Sequence, residues 1–220
     1  MNDQATIVYY TSNRENPILE NKVIDNIIKQ SNGLPIISVS KKPMDFGRNI
    51  CVEEAEISDM AAFRQLMIGL KEVKTKFAIA AESDVMYPPE YFSIVPPQDN
   101  LPYRYRNVWL FYGWSGTEKG NYFFKKRCTE GGQIVGRDYW IDRLAYGIRK
   151  CNGKVIFPRI GDTYGWGENG NPLISIKTMK GQRLRSKVDN PIVGMESLPM
   201  WGTVDKFRKD IWGECKGYGL

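Results

Sequence analysis

The sequence predicts an α/β fold, because three short apolar runs are separated by two stretches with helical periodicity. The runs cover residues 6–10, 35–40 and 76–81, and they read as buried strands. Strands that alternate with helices pair in parallel through right-handed crossovers. We therefore expect a layered α/β architecture whose ligand site lies beyond the carboxyl ends of these strands.

The first helix is predicted to follow the first strand after a short polar turn. Asn16 and Pro17 have the residue types of an N-cap and a first helical position. Apolar residues then recur at helical spacing, and Gly33 is a suitable helix stop.

The second helix is predicted to begin at Ser58, another residue typical of N-caps. Its apolar positions form one stripe that continues to Val73. The third strand follows and runs directly into Glu82, Ser83 and Asp84.

The second half of the chain is less regular. The patterns there predict strands at 107–112, 121–126, 154–157 and 173–177, helices at 138–150 and 203–212, and a glycine-rich loop at 161–170.

The chain has 220 residues and no histidine, which excludes several kinds of site. A Ser-His-Asp triad, a Cys-His pair and a histidine-rich zinc site are ruled out. A metal site must use carboxylates, other oxygens or thiolates, and this favours Mg²⁺ or Mn²⁺. The four cysteines form no CxxC motif, and the first residues lack the pattern of a signal peptide. No apolar run approaches the length of a membrane span, so we expect a cytoplasmic protein.

Charge is distributed unevenly between the two halves of the chain. Residues 1–100 contain 10 basic and 14 acidic residues, whereas residues 101–220 contain 21 and 11. The basic second half is either a set of solvated faces or a surface for a polyanion such as nucleic acid. The candidate nucleic-acid-binding residues are Lys125, Lys126, Arg127, Lys180, Arg183, Arg185 and Lys187.

An acidic pair, Glu82 and Asp84, stands at the end of the third predicted strand. Residues i and i+2 point the same way in continued β geometry, so these carboxylates would repel unless a cation lay between them. Mg²⁺ is commonly held by one or two carboxylates together with substrate phosphates. The alternative is a solvated strand end in which Asp84 caps the following turn.

Residues 7–11, 35–40 and 77–92 resemble the nucleotide-sugar-binding half of GT-A glycosyltransferases. The resemblance implies a GT-A-like (Rossmann-like) mixed sheet in a single domain over 1–220, with a donor-nucleotide-binding half (1–100) and an acceptor-binding half (101–220). It also implies that Glu82 and Asp84 hold Mn²⁺ or Mg²⁺ against the diphosphate of a nucleotide-sugar donor, most simply a UDP-sugar. The family more often has Asp where this chain has Glu82.

The same resemblance implies further donor contacts. These are expected from Tyr10, Thr11, Asn13 and Arg14 at the end of the first strand and from Arg64 on the second helix. Lys41 or Lys42 is an alternative phosphate neighbour, and Arg64 has a surface role as its alternative.

Residues 131–138 resemble the turn, strand and helix entry of the acceptor half in that family. An inverting enzyme needs a base within hydrogen-bond reach of the acceptor hydroxyl. Asp138, Asp162 and Glu168 are the candidates, and we favour Asp162 and Asp138. Asp138 has a helix-terminal role as its alternative.

The acceptor is open at the level of sequence. The basic second half and the resemblance to virus-encoded DNA glycosyltransferases indicate a hydroxymethylated pyrimidine in DNA, flipped from the duplex, and a viral enzyme would act in the host cytoplasm. The alternatives are a surface polysaccharide or protein acceptor, or a non-catalytic binding module of the same fold. A nucleotidyltransferase is disfavoured, because residues 11–15 contain no glycine-rich phosphate loop. The sequence does not indicate an oligomeric state.

Overall fold

A computed structural model describes residues 4–53, 58–113, 120–124, 129–150, 163–178 and 194–212. The strands are β1 (Ala5–Tyr10), β2 (Ile36–Ser40), β3 (Arg48–Cys51), β4 (Phe77–Glu82), β5 (Val85–Met86), β6 (Tyr103–Tyr105), β7 (Val108–Tyr112), β8 (Tyr122–Phe124), β9 (Gln133–Gly136), β10 (Tyr164–Trp166), β11 (Leu173–Lys177), β12 (Gly194–Met195), β13 (Ser197–Leu198) and β14 (Gly202–Thr203). The helices are α1 (Pro17–Gln30), α2 (Asp59–Glu72), α3 (Pro89–Ser93), α4 (Arg137–Lys150) and α5 (Val204–Trp212).

The main sheet has the strand order β10-β6-β9-β4-β1-β2-β3. Strand β1 lies between β2 and β4 and pairs with both in parallel, whereas β9 pairs antiparallel with β4. A second sheet has the order β12-β8-β7-β11-β5, and β13 and β14 form a small hairpin. The predicted α/β class with a mixed sheet is therefore confirmed.

Helices cover both faces of the main sheet, as alternating strands and helices require. Leu19 of α1 packs in the cluster that contains Ile7 of β1. On the opposite face, Leu66 of α2 and Trp140 of α4 pack in the cluster that contains Val8. Successive residues of β1 thus face different helices, which explains why this strand is buried throughout.

Both predicted N-caps are present. The Asn16 side chain accepts a hydrogen bond from the Ile18 N–H at 2.8 Å, and the Ser58 hydroxyl accepts one from the Ala61 N–H at 3.1 Å. These contacts satisfy amide groups that the first turn of a helix leaves without partners.

Several short strands were not expected from the sequence, and two of them, β3 and β10, extend the main sheet at its edges. β3 adds a parallel edge strand after β2, although its polar residues gave no strand signal. β10 occupies part of the glycine-rich segment that was expected to be a loop, and it pairs in parallel with β6. The expected strand at 154–157 lies outside the described residues. In the part of the chain that the structure describes, no helix is both long and apolar enough to cross a membrane.

Candidate functional site

A cavity of about 370 Å³ lies beyond the carboxyl ends of β1, β2 and β4. This is the edge at which open α/β sheets bind ligands. The lining residues come from the loops after these strands and from the start of α2: Tyr10, Thr11, Ser12, Arg14, Glu15, Lys41, Ser58, Asp59, Ala61, Ala62, Gln65, Glu82, Ser83 and Asp84.

The acidic pair lies in this cavity, but its geometry differs from a continued strand. β4 ends at Glu82, and Ser83 and Asp84 form a turn before β5 begins. The backbone carbonyl of Asp84 accepts a hydrogen bond from the Ile176 N–H at 2.7 Å. The turn, rather than the two-residue repeat of a strand, therefore brings Asp84 to the wall that Glu82 also lines.

Glu82 is held by the neighbouring strand. The Tyr10 hydroxyl donates a hydrogen bond to Glu82 Oε1 at 2.5 Å. Burial, reinforced by the negative charge of Glu82, raises the pKa of the Tyr10 phenol well above its usual range. Tyr10 consequently keeps its proton and acts as a donor to the Glu82 carboxylate.

Thr11 is held from both sides of the sheet. Its hydroxyl donates to the buried Glu20 carboxylate at 2.6 Å, and its carbonyl accepts from the Gln65 side-chain amide at 2.8 Å. Gln65 also donates to the Val39 carbonyl at 3.3 Å, so one buried amide joins the ends of β1 and β2. Sequence reasoning missed Gln65, because only the apolar positions of this helix were interpreted as facing the sheet.

Asn13 does not line the cavity, in contrast to the expected donor contact. Its side-chain oxygen accepts hydrogen bonds from the backbone amides of Lys41 and Lys42 at 2.8 and 2.9 Å. Its φ of 51° lies in the left-handed region, which asparagine tolerates better than most residues. Asn13 therefore braces the loop after β1 against the loop after β2.

Glu15 is a cavity residue that sequence reasoning did not select. Burial, and then the nearby charge of Asp84, raise the pKa of its carboxyl to about 7. The signal in the sequence was only its place in the loop after the first strand, which is common to many solvated glutamates.

Some of the basic candidates in the first half of the chain line the cavity and others do not. Arg14 and Lys41 line the cavity. Arg64 is half-buried on α2 and is not among the lining residues, because the face of α2 that meets the cavity carries Ala61, Ala62 and Gln65.

Asp138 lies far from the cavity. Gly136 pairs with Phe77 at the beginning of β4, so Asp138 follows the end of that strand opposite to Glu82. The strand itself spans about 16 Å from Phe77 to Glu82. Asp138 is exposed and forms an ion pair with Arg137 at 2.6 Å. The structure thus gives Asp138 its alternative role at a helix start and separates it from the acidic pair.

The remaining candidates are not brought to the cavity by the described residues. Glu168 is exposed and does not line it. Asp162 lies outside the described residues, as do all seven candidate nucleic-acid-binding residues.

The cavity brings carboxylates and cationic side chains together. Four carboxylates line it, those of Glu15, Asp59, Glu82 and Asp84, against the two cations Arg14 and Lys41. Within the described ranges, no three His, Cys, Asp or Glu side chains are grouped closely enough to hold a metal ion alone. The oxygen donors of Glu82 and Asp84 suit Mg²⁺ or Mn²⁺, which commonly complete their coordination with water and substrate phosphates.

Comparisons with known proteins found similar folds among solved structures. A glycosyltransferase involved in glycosylation of the major capsid of PBCV-1 matches with 13% identity and a TM-score of 0.46, over 74% of this chain and 81% of that one. The bifunctional IspDF from Campylobacter jejuni matches with 11% identity and a TM-score of 0.42, over 74% of this chain and 49% of that one. The mannosyltransferase PcManGT from Pyrobaculum calidifontis, solved with GDP-Man and Mn²⁺, matches with 12% identity and a TM-score of 0.41. The match covers 82% of this chain and 58% of that one.

No protein-family model matches the chain, and no curated protein matches it. The solved structures are similar to this chain in fold, at very low identity.

Proposed function

We propose that this protein is a metal-dependent glycosyltransferase that moves a sugar from a nucleotide-sugar donor to a hydroxyl acceptor. The observation that carries the proposal is the cavity beyond β1, β2 and β4, in which Glu82 and Asp84 face the same space as Arg14 and Lys41. The proposal is supported by the position of the cavity beyond the carboxyl ends of these strands, where open α/β sheets commonly bind ligands.

Electrostatics explains why a cation is part of the proposal. The cavity lining carries more carboxylates than cations, so a diphosphate would be repelled from it. Mn²⁺ or Mg²⁺ held by Glu82 and Asp84 would neutralise the diphosphate and stabilise its charge as the sugar leaves. Arg14 and Lys41, which also line the cavity, would supply further positive charge.

The chain's own residues prepare this site for the reaction. Tyr10 holds the Glu82 carboxylate, and Gln65 and Glu20 fix Thr11 at the end of β1. In the reaction, the bond from the sugar's anomeric carbon to the diphosphate oxygen breaks and a bond to the acceptor oxygen forms. The acceptor hydroxyl loses its proton, for which Asp162 remains a proposed base.

The proposed acceptor is a hydroxymethylated pyrimidine in DNA. The proposal is supported by the excess of 21 basic over 11 acidic residues in 101–220. Phosphate contacts by Lys125, Lys126, Arg127, Lys180, Arg183, Arg185 and Lys187 would provide affinity without sequence preference.

The donor reaction is tested with a panel of UDP-, GDP- and TDP-sugars in the presence of Mn²⁺ or Mg²⁺. We expect hydrolysis of one donor that requires the metal and falls about 100-fold or more in Glu82→Gln and Asp84→Asn. Glu196→Gln is a matched control, because Glu196 is exposed outside the cavity. Metal-independent hydrolysis, or equal rates in all variants, would contradict the proposal.

The acceptor is tested separately with hydroxymethylated and unmodified duplex DNA. We expect sugar transfer only to the modified duplex, and a binding constant that falls steeply as salt rises. Donor hydrolysis without transfer to DNA, together with salt-independent binding, would leave the glycosyltransferase proposal intact and refute the DNA acceptor.

A further inference from the structure

The Glu82 carboxylate is enclosed by two residues from distant parts of the chain. Tyr10 of β1 donates its hydroxyl proton to Oε1. Gly131, in the turn that precedes β9, lies against Oε2, since a Cβ built on Gly131 would be 2.6 Å from that oxygen and 2.7 Å from the carboxyl carbon. Tyr10 and Gly131 therefore lie beside different oxygens of the carboxylate.

Backbone conformation does not explain the glycine at position 131. Its φ is not positive, so an alanine could adopt the same backbone. The nearest atoms to the built Cβ are Oε2, Cδ and Cγ of the Glu82 side chain. A side chain at position 131 would therefore require the Glu82 carboxylate to move.

Hydrogen bonds connect the turn to the main chain of Glu82. The Glu82 N–H donates to the Tyr87 hydroxyl at 2.8 Å, and this hydroxyl donates to the Gly131 carbonyl at 2.9 Å. The Tyr91 hydroxyl, also fully buried, lies 2.8 Å from the Ala80 carbonyl and 3.3 Å from the Gly131 carbonyl. The turn and the end of β4 are therefore held at a fixed separation.

We infer that Tyr10 and Gly131 are positioning residues that hold the Glu82 carboxylate in the orientation that binds the divalent cation. The inference rests on the proposed function, because it assumes that Glu82 is a metal ligand. A carboxylate held in one orientation loses little conformational entropy when it binds a cation. Partners of metal ligands typically contribute 10- to 100-fold to metal affinity.

The test measures binding of Mn²⁺ in the presence of UDP, from the loss of the free Mn²⁺ signal in electron paramagnetic resonance. We expect Tyr10→Phe to lower the affinity about 10-fold, because it keeps the buried ring and removes the hydroxyl. Gly131→Ala is expected to lower it by 10- to 100-fold, because the new methyl group displaces the carboxylate.

Each variant has a matched control. Tyr105→Phe removes another buried phenol, whose hydroxyl donates to the Asn171 carbonyl at 2.7 Å. Gly132→Ala adds a methyl group in the same turn, against the Thr129 side chain at 2.9 Å and not against Glu82. Both controls are expected to bind Mn²⁺ within about twofold of the wild-type protein.

A shorter carboxylate provides a second test of the steric argument. Glu82→Asp withdraws the carboxylate by one methylene group from position 131. The loss caused by Gly131→Ala should therefore be smaller in the Glu82→Asp background than in the wild-type protein, as expected for residues in contact.

The outcomes separate this inference from the proposed function. If Mn²⁺ binds the wild-type protein and Glu82→Gln equally, or neither, the metal site itself fails. If Glu82→Gln weakens binding while Tyr10→Phe matches Tyr105→Phe, the positioning role is refuted and the metal site stands. Should Gly131→Ala fail to fold in urea titrations, Tyr10→Phe alone decides the inference.

Discussion

Replacing Glu15 by glutamine should make the metal-free protein more stable at alkaline pH. Burial and the charge of Asp84 raise the pKa of this carboxyl from 4.5 to about 7. The folded protein therefore keeps the proton over a range of pH in which the unfolded chain has already lost it. Below pH 4.5, this carboxyl does not lower the free energy of unfolding. The free energy of unfolding decreases as pH rises from 4.5 towards 7, where the carboxyl begins to ionise in the folded state as well.

The size of the effect follows from the same two values. A difference of one in pKa corresponds to 1.36 kcal/mol, so the upper bound is about 3 kcal/mol at pH 8. Glu15 is only partly buried, and water near the carboxyl reduces this cost. We expect Glu15→Gln to gain about 1–2 kcal/mol relative to the wild-type protein between pH 5 and pH 8.

Urea unfolding at pH 5 and pH 8 measures the effect, with EDTA present to exclude metal ions. Glu196→Gln is the matched control, because Glu196 is exposed and the substitution is chemically the same. If the free energies of unfolding of Glu15→Gln and the wild-type protein differ by the same amount at both pH values, ionisation of Glu15 does not destabilise the folded protein and the reasoning is refuted.

Three further substitutions test the structure around the cavity. Asn13→Ala should lower the free energy of unfolding in urea by about 1–3 kcal/mol, because it leaves two backbone amides without their acceptor. Asn13→Asp keeps the acceptor and should remain near the wild-type stability. Equal stability of the two variants would contradict this role. Gln65→Leu should cost about 1–3 kcal/mol by removing the donor to the Thr11 carbonyl, and an unchanged urea midpoint would refute it. Gly69→Ala should cost about 1–3 kcal/mol, because the new Cβ would lie 2.4 Å from Val8 Cγ1; a gain in thermal stability would show that α2 can move away from the sheet.

Local signals in the sequence were sufficient for much of the first half. The N-caps at Asn16 and Ser58 and the apolar run that becomes β4 depend on neighbouring residues, which a sequence displays directly. The position of Glu82 and Asp84 at a sheet edge followed from the same reasoning, because parallel strands end at a common edge.

Contacts between distant residues could not be predicted in this way. Gln65 lies 54 positions from Thr11, and its amide reaches the end of β1 only after α2 packs on the sheet. Gly131 meets Glu82 because β9 inserts antiparallel between β4 and β6, and a strand of four residues has no local signal for its partners. The distance of Asp138 from the acidic pair could not be predicted for the same reason, since the direction of β9 decides at which end of the sheet α4 begins.

The turn that carries Ser83 and Asp84 is also the passage of the chain from one sheet to the other. Glu82 ends a strand of the main sheet, whereas Val85 pairs with Ser175 in the second sheet. A ligand that binds both carboxylates would therefore make the junction between the two sheets more rigid. The bound ligand would make unfolding of the two sheets more cooperative. A substitution that loosens either sheet would lower the affinity for the ligand.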